Sequence, residues 1–237
     1  MRLIAKWMVA CVFALLSAVS VFAIGSDSAC TPSFPLRPPW LGADAAYSIP
    51  LPDGRDVWIF GDTLYGDKRL VIGDDPRMVH NSVGMSTCEN GVWKIDYTFH
   101  HDADGKLGNI FESQHKDTWY WALDGVEYNN ELWVTLLCVR NAPHATSPTA
   151  ALGFEICGAD LAHVTDLKKN PQDWKVSYFP LVPDGVHANP SASTVIDGNN
   201  LYIFTLDENG SRPEILTRIP LSGLDDPKKN LQYLGSD

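Results

Sequence analysis

Basic side chains are scarce in this 237-residue chain: 18 Lys and Arg stand against 29 Asp and Glu, a formal charge of −11. Such a surface repels phosphate backbones, and no basic patch with interleaved aromatics offsets it, so nucleic acid is not an expected partner. The chain also lacks a Gly-x-Ser-x-Gly elbow, a Gly-rich phosphate loop and a dinucleotide fingerprint, which removes the enzyme classes built on them. Its five cysteines include no Cys-x-x-Cys or His-spaced pair, so no zinc site is expected. Past the first 24 residues, no apolar run is long enough to span a membrane.

The N-terminus is the exception. Arg2 and Lys6 precede an apolar run from Trp7 to Val19, and Val21-Phe22-Ala23 closes it with a small-residue cleavage site. That is the layout of a secretory signal peptide over residues 1–23, cleaved near Ala23, and it predicts a secreted or periplasmic protein. An uncleaved anchor is the competing reading, because Trp7 to Ile24 is near the lower limit for a span. Without the leader, 16 Lys and Arg face the same 29 acids, a charge near −13. Four cysteines remain, and an even number in an exported chain permits two disulfides. Cys138 and Cys157 fall on successive strands, so their pairing is expected; free, buried cysteines are the alternative.

What the chain does have is a recurring strand phrase. Asp56-Val57-Trp58-Ile59-Phe60, Glu131-Leu132-Trp133-Val134-Thr135 and Asn200-Leu201-Tyr202-Ile203-Phe204 each follow a turn signal, at Asp53-Gly54, Asn129-Asn130 and Asp197-Gly198. The central aromatics are spaced by 75 and 69 residues. A fixed period marks a repeat architecture, and short alternating runs bounded by Gly, Pro, Asn and Asp make the unit all-β. After a Pro-rich lead-in over residues 24–40, residues 41–237 therefore read as three four-stranded blades of a β-propeller. Strands are expected near 43–50, 56–62, 82–88 and 92–98, then 119–127, 131–139, 152–158 and 173–179, then 190–196, 200–206, 213–219 and 230–234. Helical periodicity is confined to the region around Asp160–Lys169. Propellers typically close with four to eight blades, so an N-terminal fragment of a longer propeller is the expectation, with closure by a second chain or a sandwich as alternatives.

Asp is depleted inside strands, which draws attention to Asp44. A hairpin turning at Asp53-Gly54 pairs residues with index sums of about 106 or 107, placing Asp44 opposite Asp62 or Thr63. Two carboxylates at one end of a hairpin are the working parts of glycoside hydrolysis, and their mutual repulsion separates an acid from a base. Asp44 and Asp62 are thus the candidate catalytic pair. Structural turn-forming aspartates are the competing reading, as is a calcium site, since oxygen ligands suit that ion; no other cofactor is implied. His80 and Asn81 precede the third strand and are expected near the same end. Asp124 and Asn189 occupy positions in the second and third repeats near the equivalent of Asp44, and complete the candidate substrate-binding set. Glu112 is a candidate loop acid between the first two repeats, and His100-His101-Asp102 reads as an exposed loop.

Trp40-Leu41-Gly42-Ala43-Asp44-Ala45-Ala46-Tyr47-Ser48-Ile49-Pro50, Phe60-Gly61-Asp62-Thr63 and His80-Asn81-Ser82-Val83 together resemble the domain of unknown function 4185 family. So does Leu216-Thr217-Arg218-Ile219-Pro220-Leu221 with its downstream Asp226-Pro227. That resemblance implies a glycosidase-like five-bladed propeller, in a family whose characterised members include endo-D-arabinanases, and it covers Trp40 to Asp237. The resulting expectation is an exported glycan-cleaving hydrolase acting on a polysaccharide or oligosaccharide. A propeller module that binds carbohydrate without cleaving it is the alternative.

Overall fold

The structure is a computed structural model that describes residues 30–68, 77–142, 153–186, 188–207 and 214–234, without the side chains of 188–192 and 206–207. The expected signal peptide lies outside the described residues. The chain divides into two units, Met1–Thr31 and Pro32–Asp237; only Cys30 and Thr31 of the first are described, and every strand named below belongs to the second.

The architecture is all-β, built from several antiparallel sheets. Strand β1 (Trp40–Ala43) is followed by β2 (Tyr47–Pro50), β3 (Arg55–Phe60), β4 (Thr63–Tyr65), β5 (Arg77–Val79), β6 (Ser82–Glu89) and β7 (Val92–Thr98). Strands β2-β3-β6-β7 form the first four-stranded sheet, while β1-β4-β5 make a small sheet of their own. The short pair β8 (His100–His101) and β9 (Leu107–Gly108) leads to the second large sheet: β10 (Thr118–Tyr128), β11 (Glu131–Asn141), β12 (Phe154–Thr165) and β13 (Lys175–Val182). The third comprises β14 (Ala188–Asp197), β15 (Asn200–Asp207), β16 (Glu214–Pro220) and β17 (Gln232–Leu234), with a one-turn helix α1 (Pro227–Asn230) before β17.

The second and third sheets run as meanders, whereas in the first β3 pairs with β6 across the inserted β4 and β5. Tyr128 pairs with Glu131 across Asn129-Asn130, whose φ angles of 57° and 62° are those of a type I′ turn. Asn tolerates that region better than other side-chain-bearing residues, and the turn's twist matches the flanking strands.

The sheets stack through period-2 faces. Leu132, Val134 and Leu136 of β11 pack with Ile49, Val57, Ile59 and Val83 of the first sheet. Trp133, on the opposite face of β11, joins Leu161, Leu201, Ile203 and Ile219 against the third sheet. Burial on both faces explains why β11 reads as an almost continuous apolar run. Full burial of each such aliphatic side chain stabilises by about 1.5–3 kcal/mol. The first sheet's other face is covered by Phe34 and Trp40, packed on Trp58, Phe60, Trp93 and Tyr97.

Two expectations need correction. The first strand, expected over 43–50, is broken at residues 44–46, so that its two halves join different sheets. The helical periodicity around Asp160–Lys169 does not produce a helix: Asp160–Thr165 continues β12, pairing with β11 on one side and β13 on the other. Leu161, Val164 and Leu167 are spaced as on a helix, but two flanking strands already supply hydrogen-bond partners, and tertiary pairing overrides local pattern.

Candidate functional site

The first hairpin keeps one register across its break. Tyr47 pairs with Ile59, and Ala43 with Thr63, both with an index sum of 106, so Asp44 falls opposite Asp62. Backbone bonds span the gap: Asp44 N–H donates to the Asp62 carbonyl at 3.2 Å, and Gly61 N–H to the Asp44 carbonyl at 3.1 Å. Residues directly opposite in a sheet hold their Cβ atoms about 4.5–5.5 Å apart. The two carboxylates are therefore neighbours at the end of the hairpin away from its turn.

Their surroundings differ. Burial, and secondarily the negative charge of Asp62, push the Asp44 carboxyl above the ordinary range; backbone N–H groups of Asp62 and Asp44 offset this only in part. Asp62 is held by side chains instead. Trp121 Nε1 donates to Asp62 Oδ1 at 2.9 Å, and His80 Nδ1 lies 2.9 Å from the same oxygen. A carboxylate only accepts, so an ionised Asp62 fixes a proton on Nδ1. His80 is oriented further by its ring stacking on Trp119, with centroids 4.6 Å apart, and its backbone N–H donates to Asn109 Oδ1 at 2.7 Å.

Asp124 enters through an irregularity in β10. Ala122 pairs with Leu136 and Gly125 with Val134, so Leu123 and Asp124 bulge opposite Thr135 alone. Gly125 is required there, because a Cβ would stand 2.6 Å from the Trp133 carbonyl and 2.9 Å from Ile49 Cδ1. Asp124 Oδ2 accepts from Thr194 N–H at 2.7 Å and Thr194 Oγ1 at 3.2 Å, tying the second sheet to the third. The Tyr47 phenol feels both acids: burial first, then the charges of Asp124 and Asp44, hold its proton on.

The remaining sequence candidates separate. Asn81 is fully buried; its Nδ2 donates to the Phe111 and Tyr120 carbonyls at 3.0 Å each, and its Oδ1 accepts from Phe111 N–H at 2.8 Å. Its amide is committed to the main chain. Asn189 lies in β14 opposite Leu206, next to a register shift of two residues between Pro190 and Ser193; its side chain lies outside the described residues. Glu112 Oε1 accepts from Asn109 N–H at 3.1 Å. His100 and His101 are exposed and paired with β9. Cys138 and Cys157 are bonded to each other, with Cα atoms 5.2 Å apart, and Cys30 and Cys88 are also in disulfide form. Among the described residues, no group of three or more His, Cys, Asp or Glu is placed to hold a metal ion, and no helix is long and apolar enough to cross a membrane.

Sequence reasoning missed Trp121, which lies 59 residues from Asp62; its alternation with Trp119 on β10 was the available signal. A second cluster was missed as well. The nearly buried Asp160 takes His115 Nε2 at 2.9 Å and a very short bond from the Tyr120 hydroxyl, beside a cavity of about 380 Å³ walled by the Cys138–Cys157 bridge. Burial, then the bond to Asp160, keeps Tyr120 protonated.

The fold has counterparts elsewhere. Residues 34–216 match the family Domain of unknown function (DUF5005), and the chain belongs to that family. This overturns the expected domain of unknown function 4185 membership: the motifs quoted for it were short phrases of strand and turn, too brief to single out one family. No curated protein matches the sequence. Among solved structures, the chain is similar to a "putative hydrolase" from Bacteroides ovatus ATCC 8483, with a TM-score of 0.58 and 19% identity over 84% of this chain. The match spans 55% of that structure, so this chain corresponds to about half of its length. The likeness is one of fold.

Proposed function

We propose that this protein is an exported glycan-cleaving hydrolase, with its three stacked sheets as propeller blades and Asp44 and Asp62 as its working carboxylates. The observation that carries the reading is the opposite-strand pairing of these two acids in unlike environments. Asp44, desolvated and facing a like charge, is suited to hold a proton and deliver it to a leaving glycosidic oxygen. Asp62, clamped at Oδ1 by Trp121 and His80, is suited to act as the base or nucleophile through its other oxygen.

Successive four-stranded antiparallel sheets packed face to face support the blade reading. Likeness in fold to a "putative hydrolase" agrees with hydrolysis, though fold alone does not decide function. Disulfides, together with the leader-like N-terminus, favour an oxidising compartment.

The test is release of new reducing ends from a panel of plant and bacterial polysaccharides by the full chain, at several pH values. Hydrolysis of at least one polysaccharide is expected. Retention of a polysaccharide with no cleavage across the panel would establish the binding-module alternative instead.

A further inference from the structure

The groups around the carboxylate pair also constrain what is bound there. Trp119 and Trp121 are two apart on β10 and so project to one side of the strand. That side meets the candidate site: Trp119 stacks on His80, and Trp121 bonds Asp62. Phe154, at the start of β12, sets its edge against Trp121 with centroids 4.8 Å apart and planes at 80°. Whereas Trp40, Trp133 and Trp174 are spent in the core, Trp119, Trp121 and Phe154 all keep part of their surface exposed. Trp119 Nε1 is buried without a partner, so the ring's polar atom is turned inward and its exposed surface is hydrocarbon.

The polar groups beside this strip are the Asp44 and Asp62 carboxyls, the His80 imidazole and, near Asp44, the Tyr47 phenol. Among the described residues, no Lys or Arg is hydrogen-bonded or ion-paired to Asp44, Asp62 or Asp124. An apolar plane bordered by carboxylates suits a ligand rich in hydroxyl donors on its rim and in C–H bonds on one face. It disfavours an anion, which would meet like charge with no Lys or Arg, among the described residues, bonded to these carboxylates to offset it.

We infer that Trp119 and Trp121 form a platform on which a neutral sugar ring stacks beside Asp62, making the substrate a neutral rather than an acidic glycan. The inference rests on the glycan reading of the site but does not require cleavage. It joins an aromatic surface, which supplies contact area, to carboxylates that accept from sugar hydroxyls.

The experiment is isothermal titration calorimetry of the full chain with arabino-oligosaccharides, xylo-oligosaccharides and oligogalacturonates, run on the wild type, Asp44→Asn, Trp119→Ala and Trp119→Phe. Binding of at least one neutral oligosaccharide and not of oligogalacturonate is expected. Trp119→Ala should weaken that binding roughly tenfold or more, as loss of an aromatic anchor does, and Trp119→Phe should restore most of it. Melting temperatures show that the variants are folded; if Trp119→Ala does not fold, Trp119→Phe against Trp119→Leu supplies the same contrast of flat ring and aliphatic chain.

Preference for oligogalacturonate, no binding of any oligosaccharide, or unchanged affinity in folded Trp119→Ala each overturns the platform. Failure of the hydrolase reading looks different: affinity then depends on Trp119, while no oligosaccharide is cleaved by wild type. Conversely, cleavage that Asp44→Asn abolishes, with affinity indifferent to Trp119, sinks the platform and leaves the hydrolase standing.

Discussion

Gly61 and Asp44 are fitted to each other across the break in the first strand. The Gly61 N–H donates to the Asp44 carbonyl at 3.1 Å, and a Cβ on Gly61 would collide with Asp44 Oδ1. The carboxylate thus rests over bare backbone. Gly61→Ala should displace it, lowering turnover by about 10²-fold, the scale set by a misplaced reacting group. The cost to stability should be small, because the colliding atom is the far end of the Asp44 side chain. Rate per folded molecule, measured beside urea denaturation, separates the two effects.

Asp44 also predicts a pH dependence. Its carboxyl is raised in the folded protein by burial and by Asp62, so the native state holds the proton more tightly than the unfolded chain. The stability this contributes is fully present below the ordinary value of 3.8. It is lost as pH rises through the raised folded value. Asp44→Asn removes the titration. Relative to wild type, the variant should gain in melting temperature as pH rises from 3 to 7 on the scale of ordinary carboxylates. A constant difference across that range would show that Asp44 feels no such penalty.

Asn81 predicts a structural effect without a catalytic one. Asn81→Ala leaves the Phe111 N–H and the Phe111 and Tyr120 carbonyls without their buried side-chain partner. The expected cost is at least about 2 kcal/mol by denaturant titration, with activity per folded molecule retained. A drop in activity with undiminished stability would return Asn81 to the substrate-binding set.

The meander was legible in the sequence where local chemistry decides it. Asp53-Gly54 and Asn129-Asn130 can hardly be anything but turns, and the first of them alone narrows the residue opposite Asp44 to Asp62 or Thr63. What failed was non-local. Leu161, Val164 and Leu167 suggest a helix until β11 and β13 are known to flank them. The break at residues 44–46, where Ala45 takes a φ of 54°, has no Gly or Pro within it to announce it. Trp121 and Asp62 are brought together by stacking of two sheets, which no hairpin rule anticipates.

The Cys138–Cys157 bridge joins β11 to β12 beside the cavity that holds Asp160. With its ends 19 positions apart in sequence, a double Cys138→Ala, Cys157→Ala variant should lose about 3 kcal/mol, mainly by freeing the unfolded chain. Equal stability of oxidised and reduced wild-type protein would show that the bridge contributes nothing.

The most direct measurement is kcat for the wild type, Asp44→Asn and Asp62→Asn on whichever polysaccharide the full chain cleaves, with folding followed by melting temperature. Both variants should fold, and each should lose about 10²–10⁴-fold in kcat or more, the range expected for removing an acid, a base or a nucleophile. Wild-type kcat in folded Asp44→Asn and Asp62→Asn would contradict the assignment, leaving the pair as a structural feature of the first hairpin.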